Sequence, residues 1–249
     1  MSDVALTWRQ YRLERRLFWR NPSAAFFGFV FPLLLLGLLG AIFASSQSDL
    51  NRVIPFVAAT SIMATTFSAL AMSLTVLREQ GVLKRMRGTP LPSAGYLAAL
   101  GASAVTNALL QVAVVVVAGK LVFGVGWPAD WLELVVFTLA GVACLAALGV
   151  AWSHVIPNVD AAPAFSNAVF LPVVAISGIV YGGDAGSGSA LGDIARAFPL
   201  VHLADGLHGA MVTGTSLSDN AGDLAVILVW LVVGVVLAVR GFSWGAKLG

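Results

Sequence analysis

LVVFTLAGVACLAALGVAWSHVIPNV, the stretch from Leu134 to Val159, contains no charged residue. A helix crossing about 30 Å of hydrocarbon needs about 20 mostly apolar residues, so this run is long enough to span a bilayer. Working outward, the same property recurs upstream in Gly88 to Gly119, Val53 to Leu77 and Asn21 to Ser48, and downstream in Ala161 to Gly183. A shorter run, Leu224 to Val239, has 16 residues, and Arg240 beyond it can snorkel while Gly241 to Trp244 extend the helix. The runs lack the alternation of apolar and polar residues that marks a membrane β-barrel. They therefore predict an all-α integral membrane protein with six transmembrane helices, at about 23–44, 53–77, 92–119, 132–154, 161–182 and 222–243, in one domain over 1–249.

Composition excludes the other classes. Of 249 residues, 59% are hydrophobic and only 10% are charged, against roughly 25% charged in a soluble domain. So few charges cannot cover a water-facing surface. The single cysteine, Cys144, excludes an intramolecular disulfide framework, and a net charge of +2 makes no case for nucleic acid. Internal prolines at 32, 55 and 172 are tolerated in membrane helices, where neighbours re-satisfy the freed backbone groups. No internal repeat of the kind found in inverted-repeat transporters is visible.

Lysine and arginine give the orientation. With six spans, one side holds Arg9, Arg12, Arg15, Arg16, Arg20, Arg78, Lys84, Arg85, Arg87, Arg240 and Lys247, which is 11 of the 14 cations. The other keeps Arg52, Lys120 and Arg196 among Asp49, Asp130, Glu133, Asp184, Asp193, Asp205, Asp219 and Asp223. The positive-inside rule then places both termini in the cytoplasm of a multi-pass protein of the cell membrane. Residues 4–20 read as an amphipathic interfacial helix, with Arg9, Arg12 and Arg16 on one stripe and Val4, Trp8, Tyr11 and Phe18 on another, into which Arg15 intrudes.

Between the second and third spans lies Arg78-Glu79-Gln80-Gly81-Val82-Leu83-Lys84-Arg85-Met86-Arg87-Gly88-Thr89-Pro90. Val82, Leu83 and Met86 form a small apolar strip, Lys84, Arg85 and Arg87 load the C-terminal end, and Gly88 with Pro90 reads as a helix stop. The expectation is a short cytoplasmic helix over 78–88, wedged between two spans and suited to a groove on a soluble partner. The competing reading is a loop that is basic only because of topology.

This segment resembles the one after the second span in type-2 permeases of ATP-binding-cassette exporters, whose cargoes include drugs, polysaccharides and lipids. The carriers of the resemblance are Arg78-Glu79, Gly81, Leu83, Arg85, Thr89 and Pro90, together with the basic N-terminal helix and Phe198-Pro199-Leu200 before the last span. Gln80 and Lys84 stand where acidic residues are frequent in that family, and His208 where an arginine is usual. The resemblance implies that residues 78–90 couple to a separate ATPase subunit, present in two copies, that a second copy of this chain completes a homodimer, and that ATP and Mg are bound by the partner. It also implies that the first, second and fifth spans line the substrate path, where Phe26, Phe165, Asn167 and Phe170 could meet an amphipathic cargo, and that an external hairpin over 188–212 forms a gate with Phe198, Pro199, His202 and Asp205.

No G-x-x-x-x-G-K-[ST] occurs; the pair Gly119-Lys120 lacks the upstream glycine and following hydroxyl that cradle phosphate and magnesium. ATP binding is accordingly expected on another polypeptide, with no cofactor or metal on this one. Two other classes compete. A proton-coupled drug or lipid carrier needs ionisable groups in the bilayer, yet no Asp, Glu or Lys lies near the middle of any predicted span; Asn107, Gln111 and Asn167 read as helix-to-helix hydrogen bonders. An intramembrane enzyme would need convergent ligands or a nucleophile, and His202 and His208 are spaced for neither i+3 nor i+4. The stretch Ala190 to Met211 is too apolar for a solvated loop and predicts two short helices bent at Pro199.

Overall fold

The computed structural model describes residues 3–43, 47–82, 85, 91–181 and 190–241, and these are all helix or connecting turn, with no strand among them. Among the described residues nine longer helices follow one another: α1 (Asp3–Arg20), α2 (22–43), α3 (47–79), α4 (Ser93–Phe123), α5 (Trp131–Ser153), α6 (Ala162–Tyr181), α7 (Ala190–Ala195), α8 (199–213) and α9 (Ala221–Gly241). The ends carry recognisable stop and start chemistry. Pro22 opens α2 and Pro199 opens α8, where a missing N–H is harmless. Asp130 caps α5 by accepting the N–H groups of Leu132 (2.8 Å) and Glu133 (3.0 Å). The chain leaves α3 at Gly81 and α4 at Gly124, both at φ 68°, a left-handed conformation that a side chain disfavours.

Among the described residues four helices are long and apolar enough to cross a membrane: 48–79, 98–123, 131–153 and 221–240; two shorter apolar helices cover 28–42 and 162–178. The helices overlie the apolar runs, and at the second run the helix reaches well beyond it. There one helix runs from Gln47, through a π-helical turn at Ala64–Ser68, to Glu79, and contains the span expected at about 53–77. Arg78 and Glu79 close α3, with a turn at Gly81 after them; most of the rest of the helix expected over 78–88 lies outside the described residues. Pro55 and Pro172 both sit inside helices without breaking them.

α5 packs most extensively against α9, and α8 nests among α3, α5 and α9. Lipid competes equally well for apolar surface, so such helices associate through close packing and small residues. The glycines do this here. A Cβ at Gly141 would lie 2.6 Å from Leu203 of α8, one at Gly206 2.1 Å from the Phe137 ring of α5, and one at Gly149 2.6 Å from the Phe67 carbonyl of α3. Around these notches Phe137, Leu145, Leu200, Leu203, Leu207 and Ile62 form the buried core. By contrast α9 turns Val229, Val232 and Val239 outward, and α2 exposes Leu34, Leu38 and Ile42.

Candidate functional site

The junction at the end of α3 is built from opposite charges on consecutive residues. Arg78 is buried, and its guanidinium donates through Nη1 to the Ser153 carbonyl (2.9 Å) and through Nη2 to the Ile156 carbonyl (2.6 Å). These carbonyls are at the C-terminus of α5 and in the turn beyond it, where partial negative charge accumulates. Glu79 turns the other way, and its Oε2 accepts the Val159 N–H at 2.7 Å, just before α6 begins. Asn158 then accepts the Ala161 N–H at 2.8 Å. The last turn of α3 is thereby bonded to the end of one helix and the approach to the next. Beyond it, Val82 is helical and half-buried, and Arg85 is exposed, its N–H bonded to the Gly81 carbonyl at 3.1 Å. Leu83, Lys84, Met86, Arg87, Thr89 and Pro90 lie outside the described residues.

Next to this junction in sequence, but on another side of the bundle, α1 packs along α4. Tyr11 and Thr106 share a hydroxyl hydrogen bond of 3.1 Å, and Arg15 donates to Asn107 Oδ1 while lying 5.7 Å from the Phe18 ring and 5.9 Å from that of Trp19. One turn along α4, Gln111 Oε1 accepts from the Thr65 hydroxyl at 3.0 Å. Asn107 and Gln111 thus do bond between helices, whereas Asn167 is exposed on α6. Glu14 is half-buried, and that burial pushes its carboxyl above the usual carboxylate range despite a bond from Gln10.

At the opposite end of α3, the segment 190–213 is two short helices with Pro199 opening the second. Phe198 stacks on Trp230 of α9 (centroids 6.4 Å, planes 14° apart), and the Trp230 indole donates to the Ala197 carbonyl at 2.9 Å. His202 is buried in α8, and both ring nitrogens are engaged: Nδ1 with Asp223 Oδ1 at 2.6 Å, Nε2 with the Arg196 carbonyl at 2.8 Å. Asp205 is half-buried one turn on. Residues 182–189 lie outside the described residues, so the start of the expected hairpin is not seen.

The four residues assigned to a substrate path do not form one cluster within the chain. Phe26 is exposed on the π-helical turn of α2, which packs against α4, while Phe165, Asn167 and Phe170 ride on α6 beside α3, α7 and α8. Phe165 packs near Ala71 and Ile156, and its carbonyl accepts from the Trp152 indole at 3.1 Å; Phe170 leans on the main core.

Sequence reading missed Glu133. It is fully buried in the first turn of α5, Oε1 accepts from Asn220 Nδ2 at 2.7 Å, and Oε2 has no hydrogen-bond partner among the described residues. Its position beside Asp130 made it look like one more external charge. The only available signal was that Asp130 already serves as the cap, leaving Glu133 on the inward face of the first turn.

The described residues form a bundle of apolar helices of membrane-spanning length in which Arg78 and Glu79 bond the end of one helix to the turn between two others. The chain belongs to the ABC-2 type transporter family, whose model matches residues 4–212. No curated protein and no solved structure matches it. Membership makes this chain the membrane permease of an ATP-binding-cassette transporter, a transmembrane subunit without the ATPase site, and implies pairing with an ATP-binding subunit.

Proposed function

We propose that this permease is the membrane half of an exporter that moves a hydrophobic or amphipathic cargo, such as a drug, lipid or glycolipid, out of the cell. The chain crosses the cell membrane six times with both termini in the cytoplasm, counting the shorter apolar helices 28–42 and 162–178 as crossings. Two copies pair, each receiving one ATP-binding subunit, and cargo passes between them along the faces carrying Phe26, Phe165, Asn167 and Phe170.

The bonding of Arg78 and Glu79 to the turn between α5 and α6 is the observation that supports this reading best. A push on the coupling segment, residues 78–90, reaches α3 directly through the chain. Through Arg78 it reaches the end of α5, and through Glu79 the approach to α6. One input would so tilt three helices, which suits a unit driven from outside rather than one powered by its own chemistry. Pro199, opening the buried α8, and Phe198, stacked on Trp230, would form the outer gate with His202 and Asp205.

The test is reconstitution into vesicles with a fluorescent phospholipid as cargo. ATP-dependent movement is expected only when an ATP-binding subunit is supplied, and Arg85→Glu should abolish it while leaving ATP hydrolysis running. Movement by the chain alone under a proton gradient would instead establish a proton-coupled carrier.

A further inference from the structure

His202 sits between two oxygens that can only accept: the carboxylate of Asp223 at 2.6 Å from Nδ1 and the carbonyl of Arg196 at 2.8 Å from Nε2. Neutral imidazole has one N–H, which satisfies one of the two and leaves the other nitrogen's lone pair facing a lone pair. Closing both bonds requires one more proton between Nδ1 and Asp223. Imidazole is the stronger base of the two, so the ring carries it. We infer that His202 is a proton-binding latch which, as imidazolium, ties α8 and the turn after α7 to the first turn of α9.

The surroundings fit a latch rather than a fixed strut. Asp223 comes from α9, Arg196 from the turn leaving α7, and His202 from α8, so one ring joins three elements. Two further ties in the same place, the Phe198–Trp230 stack and the indole bond to Ala197, involve no titratable group and hold at any pH. Losing the proton loosens the hairpin without freeing it.

The charges that act on the ring come from α8 and α9. Asp223 of α9 and Asp205 of α8 both favour the charged ring, and the hydrogen bond to Asp223 outweighs burial, so His202 titrates above the usual 6.5. On α3, Arg52 acts on His208 rather than on His202. Glu133 of α5 is bonded to Asn220 instead. Burial pushes His208 below 6.5, which makes it an internal control one helix turn and a half away. With the folded-state value raised, the latch is closed in acid and its stabilisation is lost as pH rises through the folded value.

Taken with the orientation proposed above, on which this part rests, the latch faces outward and reports the pH outside the cell. Acid outside holds the gate; alkali outside loosens it.

The experiment uses the full chain in lipid nanodiscs, with 15N-labelled histidine; the three imidazoles are assigned by loss of the His202 or His208 signals in single Asn variants. His202 is expected to titrate above 6.5, and Asp223→Asn to bring its midpoint down to 6.5 or lower. Spin labels at exposed positions 193 and 222, introduced as Asp193→Cys and Gly222→Cys with Cys144→Ala, should show a broader distance distribution above the midpoint and the same distribution at every pH in His202→Gln. A His202 midpoint at or below 6.5, one indifferent to Asp223→Asn, or a label distance that does not change with pH overturns the latch. Neither readout needs cargo or an ATP-binding subunit. In sealed oriented vesicles, a response only to pH on the side bearing Arg85 would overturn the outward orientation while the latch itself stood.

Discussion

The carboxylate of Glu79 holds the backbone N–H of Val159 at 2.7 Å across a separation of 80 residues. Its neighbour Arg78 holds the carbonyls of Ser153 and Ile156, so a cation meets a helix C-terminus and an anion meets the approach to a helix N-terminus. Both pairings have the sign that helix-end charges favour. Two adjacent residues at the end of one span therefore clasp the turn that connects two others.

Arg78→Met should lower the stability of the detergent-purified protein by about 3 kcal/mol, since a hydrogen bond to a charged group contributes about 1.5–3 kcal/mol and two carbonyls would lose their donor. Arg78→Lys keeps the charge but cannot reach both carbonyls, and should recover about half. Thermal unfolding midpoints of the three proteins, compared at one detergent concentration, check the order. Equal midpoints would mean that the clasp adds nothing.

Gly81 at φ 68° has nothing within 4 Å of where a Cβ would be built, so substitution there meets a backbone cost and no steric one. Gly81→Ala should cost about 1 kcal/mol and Gly81→Asn less, because asparagine visits the left-handed region more readily. With an ATP-binding subunit present, transport should fall in the order Gly, Asn, Ala while ATP hydrolysis changes little. Parallel loss of both activities would point to failed assembly instead.

Gly149 tests the close approach of α5 to the π-helical turn of α3. A methyl group there would sit 2.6 Å from the Phe67 carbonyl and 3.0 Å from that of Thr66, and backbone cannot swing aside. Gly149→Ala should destabilise by roughly 1–3 kcal/mol, as overpacking does, and Gly149→Val by more. Gly101, with nothing within 4 Å, is the control; Gly101→Ala should be neutral or gain up to about 1 kcal/mol of helix propensity.

Hydropathy made the long helices legible because a bilayer forces whole segments to be apolar, and Pro199 marked a helix start through its fixed backbone preference, whereas Gly81, read as interior to a helix, takes a left-handed turn. What stayed hidden was the destination of individual polar side chains. Arg15 looked like a flaw in an aromatic stripe, yet its guanidinium bonds to Asn107, 92 residues away. Arg78 counted as one more coupling cation until the fold closed Ser153 and Ile156 over it. His202 and His208 were dismissed as a metal pair by their spacing, but spacing could not reveal that Asp223 from the last helix reaches one of them. Such partners are fixed by tertiary packing, which no local period encodes.

Glu133 and Asn220 allow hydrogen bonding and charge to be separated. Asn220 donates to Glu133 Oε1 at 2.7 Å and to the Thr215 hydroxyl at 2.8 Å, and Glu133 Oε2 is already buried without a partner among the described residues. Asn220→Ala strips the remaining side-chain donor from a buried carboxyl group and should cost about 1–3 kcal/mol. Glu133→Gln keeps an oxygen for Asn220 to donate to while removing any charge, so its unfolding midpoint should equal or exceed that of the native protein. Asn220→Asp is the sharpest variant. It sets a second carboxylate against the first, and if Glu133 is ionised its cost at pH 7 must exceed that of Asn220→Ala and shrink on acidification. A cost for Asn220→Asp that stays equal to that of Ala from pH 7 to pH 5 would show that Glu133 carries its proton in the folded permease and acts as a neutral hydrogen-bonding group.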